Sequence, residues 1–587
     1  MYLKIKLFLQ KHLFYRYISK NNVTYLKSKI LLKHLLIILA IFILITTISL
    51  LNLSLNINEF GLNVFKNNLV NIFKFSEKSS YILGNENSNL WILSINYLWI
   101  TIKYTLVGSF LGFIIALTTS YITSKNNLKN FLRIPFSIII IFLRSIPELV
   151  FITIFTNSFN SYLAIVLVFF WFSWLWLHKY YLEMFNSLNY KEIYLLKKLG
   201  NNNFKIFFNY IWPRISNRII AQFLYSFESN IRWSSILATL GLGGIGTLIY
   251  YGSYSSFRLN ELGIPFVILF IFIVFLELFN FIFLNFILRN KSAFYTQKRY
   301  LNSVNKTKYI CSWKFYFNLL LLLMPLILTI YVLITIDYTS LNLYSSKNIF
   351  VSFFNPDWSV FDALSKDINL NPFLQILQTI LFSTFISLLS LILTITFLPL
   401  FSRLLFNKYY VLFNKIIMTF LRIIPVIIFF FILNTLFFSP LTLLLLILTF
   451  HQITVLTKLF SEMIDKFNKN DYHNLKIQGY SKSKIYFLFL IPSIKHELIS
   501  IFIFYLEINF RNLLTYSIYS QNELVLGSKI SYFLNEKFLD LNKAFSYVWI
   551  STFTIISINL IKYLIHNRLN KVKLWPLKLI KINFFNI

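Results

Sequence analysis

The chain has 587 residues, of which 57% are hydrophobic and only 13% are charged, and its formal net charge is +34. This hydrophobic fraction excludes a soluble protein of this length. Many Phe, Ile, Lys, Asn and Tyr residues are typical of an AT-rich genome, so the positive charge does not by itself indicate nucleic-acid binding. A single cysteine, Cys311, excludes an internal disulfide.

Apolar runs of about 20 residues, long enough to cross a bilayer, recur along the whole chain. In the first half they predict membrane spans near residues 30–52, 91–119, 134–156, 161–180, 215–239 and 263–288. In the second half they predict spans near residues 316–337, 374–400, 411–437, 440–459, 495–518 and 543–565. The sequence therefore predicts an all-α integral membrane protein with about 12 transmembrane helices, arranged as two homologous six-helix halves.

Lysine and arginine are concentrated in three segments that contain no acid. Residues 1–34 hold eight Lys/Arg, residues 289–314 hold seven and residues 562–587 hold six. The segments 53–90 and 338–371 are balanced, with three Lys against three Glu and two Lys against three Asp. Because short basic segments stay on the cytoplasmic side, we expect a multi-pass cell-membrane protein with both termini and the central join in the cytoplasm.

The first apolar run has one alternative interpretation, a secretory signal. The run at 30–52 is long, lacks a small-residue cleavage site and is followed by no predicted folded domain. We therefore interpret it as an uncleaved first span.

Charged residues, asparagines, glycines and prolines recur along the chain at a nearly constant offset. The pairs 279 residues apart are Glu183/Glu462, Gly200/Gly479, Pro213/Pro492, Glu228/Glu507, Asn230/Asn509 and Arg232/Arg511. Leu143-Arg144-x-Ile146-Pro147 recurs as Leu421-Arg422-x-Ile424-Pro425 at an offset of 278. The repeat predicts two copies of one module, residues 35–300 and 301–587, after the basic segment 1–34. Such a duplication suggests a pseudo-dimer around a central axis, as in many transporters.

The loop between the fourth and fifth predicted spans has the same pattern in both copies. An amphipathic stretch ends at Gly200 or Gly479, and a second one ends thirteen residues later at Pro213 or Pro492. This pattern predicts two short helices joined by a left-handed glycine turn. Apolar residues that such a helix pair shows to the cytosol need a groove in a partner. We therefore predict two docking loops, to which we assign Glu183, Gly200, Pro213, Glu462, Gly479 and Pro492.

Two repeated pairs of charged residues fall inside predicted spans. Glu228 and Arg232, like Glu507 and Arg511, are four residues apart with the acid first, the order that favours an ion pair on a helix. We interpret them as structural pairs, with a direct role in the translocation pathway as the alternative. Charged residues are costly in a membrane, so their presence in both copies needs a reason.

The remaining repeated arginines differ in their neighbours. Arg144 is followed four residues later by Glu148, which we expect to neutralise it. Arg422 has only Val426 at that distance, so it must find a partner elsewhere or face an aqueous or anionic environment. The candidate pathway residues are Arg144, Pro147, Glu228, Asn230, Arg232, Arg422, Pro425, Glu507, Asn509 and Arg511.

The repeated glycine–proline spacing resembles the "EAA" loop of ATP-binding-cassette importer permeases. Three stretches are similar to the phosphonate-transport branch of these permeases: residues 143–150, with Leu-Arg-Ser-Ile-Pro-Glu-Leu-Val, residues 227–232 and residues 240–246. Asn355-Pro-Asp-Trp358 resembles the external segment of that branch. The pattern is incomplete, since Tyr194-Leu-Leu196 and His473-Asn-Leu475 stand where Glu-Ala-Ala is usual, and the second copy lacks the glycine cluster.

A fusion of two such permeases resembles the mollicute high-affinity transport systems. The resemblance implies a type I importer permease in the lipid bilayer, served by two copies of a cytoplasmic ABC ATPase and by an extracytoplasmic substrate-binding protein. It also implies a cargo such as a phosphonate, a phosphate ester or a phosphorylated vitamin like thiamine pyrophosphate.

Two other classes of function are weighed against this one. A stand-alone secondary transporter driven by an ion gradient would need unwound helices and unpaired acids, and Pro147 and Pro425 are compatible with the first requirement. An enzyme is disfavoured because the sequence has no G-x-x-x-x-G-K-[ST] motif and no Cys/His cluster for a metal. We therefore expect no cofactor, no metal and no catalytic residues.

Overall fold

The computed structural model describes the greater part of the chain. The described residues are 14–18, 24–28, 58–80, 89–124, 130–188, 190–237, 242–253, 258–283, 294–297, 308–311, 313–338, 343–362, 367–424, 426–465, 467–520, 523–534 and 540–583. All of the long elements among them are helices, which confirms the predicted all-helical membrane fold.

The described helices follow the same order in the two halves. The first half contains α1 (Glu59–Ile72), α2 (Leu90–Thr123), α3 (Asn130–Ser145), α4 (Glu148–Ser158), α5 (Ser161–Asn186), α6 (Tyr190–Lys198), α7 (Asn203–Ile206), a π-helix (Phe207–Ile211), α8 (Trp212–Leu237), α9 (Ile245–Ser253) and α10 (Leu259–Phe283). The second half begins with α11 (Trp313–Thr335), α12 (Leu343–Phe354), a 3₁₀ turn (Trp358–Phe361), α13 (Pro372–Phe397), a 3₁₀ turn (Leu398–Phe401), α14 (Lys408–Ile423), α15 (Val426–Leu433) and α16 (Pro440–Ile464). It ends with α17 (Lys469–Ile477), α18 (Lys482–Ile485), a π-helix (Tyr486–Leu490), α19 (Ile491–Ser493), α20 (Lys495–Tyr516), a 3₁₀ turn (Ser517–Ser520), α21 (Val525–Leu534) and α22 (Leu541–Asn583).

Seven of the described helices are long and apolar enough to cross a membrane. They are α2, α5, α10, α13, α16, α20 and α22. They correspond to the spans predicted at 91–119, 161–180, 263–288, 374–400, 440–459, 495–518 and 543–565.

The other predicted spans differ from continuous apolar helices. The span predicted at 134–156 is two helices, α3 and α4, whose apolar parts meet at 79°. The span at 411–437 is likewise divided between α14 and α15. The span at 316–337 is α11, whose apolar part, Leu319–Thr335, is shorter than a full span. The span at 215–239 lies in α8, which carries four charged residues, and 30–52 lies outside the described residues.

The two halves exchange contacts around the pseudo-two-fold axis. Helix α3 of the first half packs against α22 of the second, and α14 of the second packs against α10 of the first. In the same way α1 contacts α15, and α12 contacts α4. In each half, the third membrane segment therefore packs against the last helix of the other half.

Helix α11 also crosses between the halves. It packs against α2, and its residues Val332 and Ile336 lie in one buried cluster with Val107 and Val166. The helix that begins the second copy thus covers part of the first half.

Two short antiparallel ribbons lie in the basic segments and were not predicted from the sequence. Strand β1 (Phe14–Ile18) pairs with β2 (Thr24–Ser28), and β3 (Phe294–Gln297) pairs with β4 (Lys308–Cys311). Their aromatic and β-branched residues favour strands locally. Hydropathy considered over stretches as long as a membrane helix does not show this local preference.

Two membrane helices of the second half begin with a polar cap followed by proline. Asn371 accepts hydrogen bonds from the backbone N–H of Phe373 at 3.0 Å and of Leu374 at 3.4 Å, and Pro372 starts α13. Ser439 and Pro440 start α16 in the same manner. Proline suits the first helical turn because its missing N–H would be unpaired there anyway.

Candidate functional site

Each Arg-x-Ile-Pro motif ends one helix and precedes the next. Arg144 lies in the last turn of α3, and Pro147 caps α4 with an extended ψ of 142°. Arg422 lies in the last turn of α14, and Pro425 is outside the described residues. A residue before proline avoids the helical conformation, and a cation at a helix C-terminus is favourable. The first motif therefore encodes a break beside an arginine, and Arg422 ends its helix in the same way.

Arg422 is not unpaired. Its guanidinium forms an ion pair with Glu277 of α10, and the two side chains are only 10% and 17% exposed. The partner therefore comes from the other half of the chain. Sequence reasoning missed Glu277, although a lone acid in a very apolar span, with Ile556 at the corresponding place of the second copy, is a signal that could have found it.

The expectation that Glu148 neutralises Arg144 is wrong. Arg144 makes no hydrogen bond or ion pair with any residue in the part of the chain that the structure describes. The helix break separates Arg144 from Glu148, so the spacing of four residues does not bring them together as it would within one helix. Glu507 and Glu183 attract Arg144 from beyond bonding distance, and Glu148 is not among the acids that act on it.

The two Glu–Arg pairs within single helices are confirmed. Glu228 pairs with Arg232 on α8, and Glu507 pairs with Arg511 on α20. The amide of Asn280 also donates a hydrogen bond of 2.6 Å to Glu228. The guanidinium of Arg232 donates a second bond to the backbone carbonyl of Arg422, at 3.3 Å, so this pair also joins the two halves.

The repeated asparagines hold helices together. Asn230 donates hydrogen bonds of 2.8 Å to the hydroxyls of Ser109 and Ser173, which lie on α2 and α5. Asn509 donates bonds of 2.8 Å to Ser387 and Gln452, which lie on α13 and α16. Each asparagine is buried and connects three helices of its own half. Their presence in both copies has this structural reason.

Two adjoining cavities, the first and the second lobe, lie between the halves and share several lining residues. The first lobe has a volume of about 310 Å³ and is lined by Arg144 and the Glu507–Arg511 pair. The second lobe has a volume of about 500 Å³ and is lined by Arg422 and the Glu228–Arg232 pair. Trp176, Tyr180 and His451 line both lobes. Asn230 and Asn509 contribute to the first lobe, whereas Pro147 is not in either wall.

The two interhelical loops, residues 189–213 and 468–492, have the predicted helix–glycine–helix form. Gly200 and Gly479 adopt left-handed φ angles of 79° and 83°. The residue after each glycine bonds back to the carbonyl five residues earlier, Asn201 to Leu196 at 3.3 Å and Tyr480 to Leu475 at 3.2 Å. This is the glycine helix stop expected from the sequence.

Each interhelical loop has a buried face and an exposed apolar face. Ile193 and Ile206 of the first loop pack against Tyr181 and Phe185 at the end of α5. Tyr472 and Ile485 of the second loop pack in the same way against the end of α16. The exposed faces carry Leu199 (77% exposed), Phe204 (72%), Ile477 (83%) and Phe487 (59%). Such a face is suited to a partner protein.

The first interhelical loop has an additional clamp. Arg214 pairs with Glu192 at 2.9 Å, and Tyr210 bonds to both of these residues. The corresponding residues of the second loop are Asp471, Phe489 and Ser493, which cannot form the same network.

Of the other four residues assigned to the loops, two lie before the loops and two lie at their ends. Glu183 and Glu462 are on α5 and α16, before the loops begin, and Glu462 lines the second lobe. Pro213 lies in the first turn of α8, directly after the π-helix, and Pro492 lies in α19.

The second copy lacks the glycine cluster and uses a different connection. In the first copy Gly244, with φ of 108°, brings the N–H of Ile245 to within 2.8 Å of Thr101 on α2. In the second copy Glu523 accepts a bond of 3.0 Å from the N–H of Leu441 at the start of α16. Glu523 thus fastens the corresponding turn, a role that sequence reasoning missed.

Known transport proteins resemble this chain over most of its length. A family model described as "Binding-protein-dependent transport system inner membrane component" matches residues 108–292 and 395–572. The ABC transport system permease protein p69 of Mycoplasma genitalium is 31% identical over 506 residues, which are 86% of this chain and 89% of that protein. The p69 protein of Mycoplasma pneumoniae is 28% identical over 521 residues, 88% of this chain and 91% of that protein.

A more distant relative matches one part of the chain. The oligopeptide transport system permease protein OppC of Lactococcus lactis subsp. cremoris is 27% identical over 188 residues, 29% of this chain and 61% of that protein. No solved structure matches the chain.

The two regions matched by the family model contain the two interhelical loops and the two Glu–Arg pairs. The relatives that match most of the chain are permeases of ABC transport systems, and they cover both halves together. The chain therefore belongs to the binding-protein-dependent transport system inner membrane component family, the permease subunits of ABC transporters, and it carries the family domain twice.

Proposed function

We propose that this chain is the membrane-spanning permease subunit of an ATP-driven importer for a phosphonate or another phosphorylated small molecule. Two copies of a cytoplasmic ABC ATPase dock on the interhelical loops, and an extracytoplasmic binding protein delivers the cargo to the opposite face. The observation that carries this proposal is the pair of loops, which share one backbone form and each expose an apolar face.

The placement of these loops suits the transmission of movement. In the first half α7 and the π-helix continue directly into α8, which carries Glu228, Asn230 and Arg232 at the cavity. A push on the first loop therefore reaches the cavity through one helix. Closure of the ATPase pair under both loops would rock the halves about the pseudo-two-fold axis and open the cavity to alternate sides.

The proposed membrane orientation and the proposed anionic cargo are both argued from the positions of lysines and arginines. The basic segments 1–34, 289–314 and 562–587 support a cytoplasmic location for both termini and the join. An anionic cargo is supported by the arginines and lysines in the cavity wall, because a guanidinium offers a planar pair of donors to phosphate or phosphonate.

The test is co-purification of the permease with its ATPase. Leu199→Asp with Phe204→Asp, and separately Ile477→Asp with Phe487→Asp, should each abolish ATPase capture and ATP-driven uptake while the protein still reaches the membrane. Phe60→Asp on α1, where Phe60 is 75% exposed, is the matched control and should retain both. Intact capture and uptake in the two loop variants would refute the docking assignment.

The alternative of a stand-alone secondary transporter predicts a different result. The purified chain alone in proteoliposomes would then accumulate substrate in response to an ion gradient, without ATP. We expect no such uptake, since the acids of Glu228, Glu277 and Glu507 are all engaged by arginines.

A further inference from the structure

The cavity lies between two copies of one module, yet its walls are not equivalent. Trp176, Tyr180 and Trp233 of the first copy line it, and the residues 279 positions later are Val455, Leu459 and Asn512. The first copy therefore supplies three aromatic side chains, and the second copy supplies aliphatic and amide groups at the matching positions.

The charges of the cavity are also unequal. Glu277 neutralises Arg422, but Ile556 stands at the corresponding position for Arg144. Lys562 of α22 has Phe283 as its counterpart in the first half, so one side has an extra cation. This extra cation lies near the first lobe.

Two lysines lie against one aromatic ring at the first lobe. The ammonium groups of Lys179 and Lys562 lie 3.9 Å and 4.5 Å from the ring centre of Phe504. Phe504, Lys179 and Arg144 all line this lobe. The acids nearby are Glu148, Glu183 and Glu507, and Glu507 forms an ion pair with Arg511. Counting Arg511, four cations therefore stand against three acids around this lobe.

The wall of the first lobe also contains hydrogen-bond donors that lack acceptors. The indole N–H of Trp171 and the Nε of Arg511 have no hydrogen-bond partner among the described residues. A buried donor without an acceptor is costly, whereas a bound anion would satisfy it.

We propose that the first lobe is a single, asymmetric substrate site for a small molecule that combines a phosphate or phosphonate group with a flat ring. Arg144 holds the anionic group, assisted by Lys179, and Trp176, Tyr180 and Trp233 contact the ring. The volume of about 310 Å³ is sufficient for one such molecule. This inference deepens the proposed function and rests on it for the direction of transport.

The experiment measures direct binding to the purified chain in lipid nanodiscs, without the ATPase. Phenylphosphonate, which has both features, is compared with methylphosphonate, which lacks the ring, and with benzyl alcohol, which lacks the anion. We expect saturable binding of one phenylphosphonate per chain, and binding weaker by about tenfold or more for each of the other two. Benzyl alcohol loses the charge-assisted bond of the anion, and methylphosphonate loses the burial of the apolar ring surface. Two equivalent sites per chain, or no preference for phenylphosphonate, would overturn the proposal.

The proposed roles of Arg144 and Trp176 are tested by variants that give one copy the residue found at the matching position of the other. Ile556→Glu supplies Arg144 with the acid that Arg422 already has, and it should weaken phenylphosphonate binding as strongly as Arg144→Gln does. Trp176→Val should remove the preference for phenylphosphonate over methylphosphonate and leave methylphosphonate binding unchanged. Arg403→Gln is the control, because Arg403 is exposed and lines neither lobe, and it should retain binding.

The two proposals can fail separately. Loss of ATPase capture concerns only the interhelical loops and leaves this binding assay unaffected. Equal loss of binding in Arg403→Gln and Arg144→Gln, with ATPase capture intact, would refute the asymmetric site alone.

Discussion

Arg422 of the second copy forms a largely buried ion pair with Glu277 of the first copy. The pair lies where α14 packs against α10, so it joins the two halves of the duplicated chain. Its counterpart would join Arg144 to residue 556, but an isoleucine stands there. One gene duplication has therefore produced two similar helix crossings, of which only one contains a charge pair.

The first prediction concerns this pair. Glu277→Gln should destabilise the protein by about 3–5 kcal/mol, because it leaves the arginine buried without its partner. Arg144→Gln should cost much less, since Arg144 forms no ion pair with any residue in the described ranges. The measurement is thermal unfolding of both purified variants under identical detergent conditions.

A double variant separates the pair from its surroundings. Glu277→Ile combined with Arg422→Leu should recover most of the lost stability, because replacing both charges with apolar groups leaves neither uncompensated. A double variant as unstable as Glu277→Gln would show that the loss comes from packing around α10 and not from an unpaired charge.

The second prediction concerns the two asparagines. Asn230→Ala and Asn509→Ala each remove two hydrogen bonds between helices, so each should reduce stability by about 1–3 kcal/mol. Thr118→Ala is the control, because the Thr118 hydroxyl is exposed and bonds only within its own helix. If each asparagine variant lost no more stability than Thr118→Ala, the asparagines would not be needed to hold the helices of each half together.

Residues close in sequence were the ones whose contacts could be predicted. The Glu228–Arg232 pair and the turn at Gly200 depend on spacing within one helix or loop, and both are present. The same spacing rule failed for Arg144 and Glu148, because the Ile146-Pro147 step breaks the helix between them.

Contacts between distant parts of the chain could not be derived from spacing. Glu277 is 145 residues from Arg422, and only the exchange of helices between the halves brings them together. The role of Glu523 at the start of α16 also depends on tertiary contact, since it is 82 residues from Leu441. A repeat comparison could have shown that Glu277 has no counterpart, but not which residue it would meet.

The third prediction concerns the glycine turns. Gly200→Val and Gly479→Val should distort the interhelical loops and reduce ATPase capture, because a β-branched residue is strained at a φ near +80°. Space does not limit these positions, since a Cβ at either glycine would have no neighbour within 4 Å. The strain should reach about 1–2 kcal/mol per position.

Asparagine is the matched substitution for these turns. It tolerates the left-handed conformation better than valine, so Gly200→Asn and Gly479→Asn should retain most capture. Equal losses for Val and Asn would mean that the glycines are needed for contact with the partner and not for their backbone conformation.

The last prediction concerns topology. Cys311 ends β4 in the basic join between the two copies, which we place in the cytoplasm. A membrane-impermeant thiol reagent applied to intact cells should leave it unmodified until the membrane is permeabilised. The matched control is Asp362→Cys in a Cys311→Ser background, because Asp362 is exposed in the segment assigned to the opposite face. This cysteine should react in intact cells.

Since Cys311 and residue 362 are separated by a single predicted span, α11, reaction of both from the same side would refute the assignment of α11 as a membrane crossing. Reaction of Cys311 alone in intact cells would invert the orientation of the whole permease and place the interhelical loops outside, where no ATPase could dock.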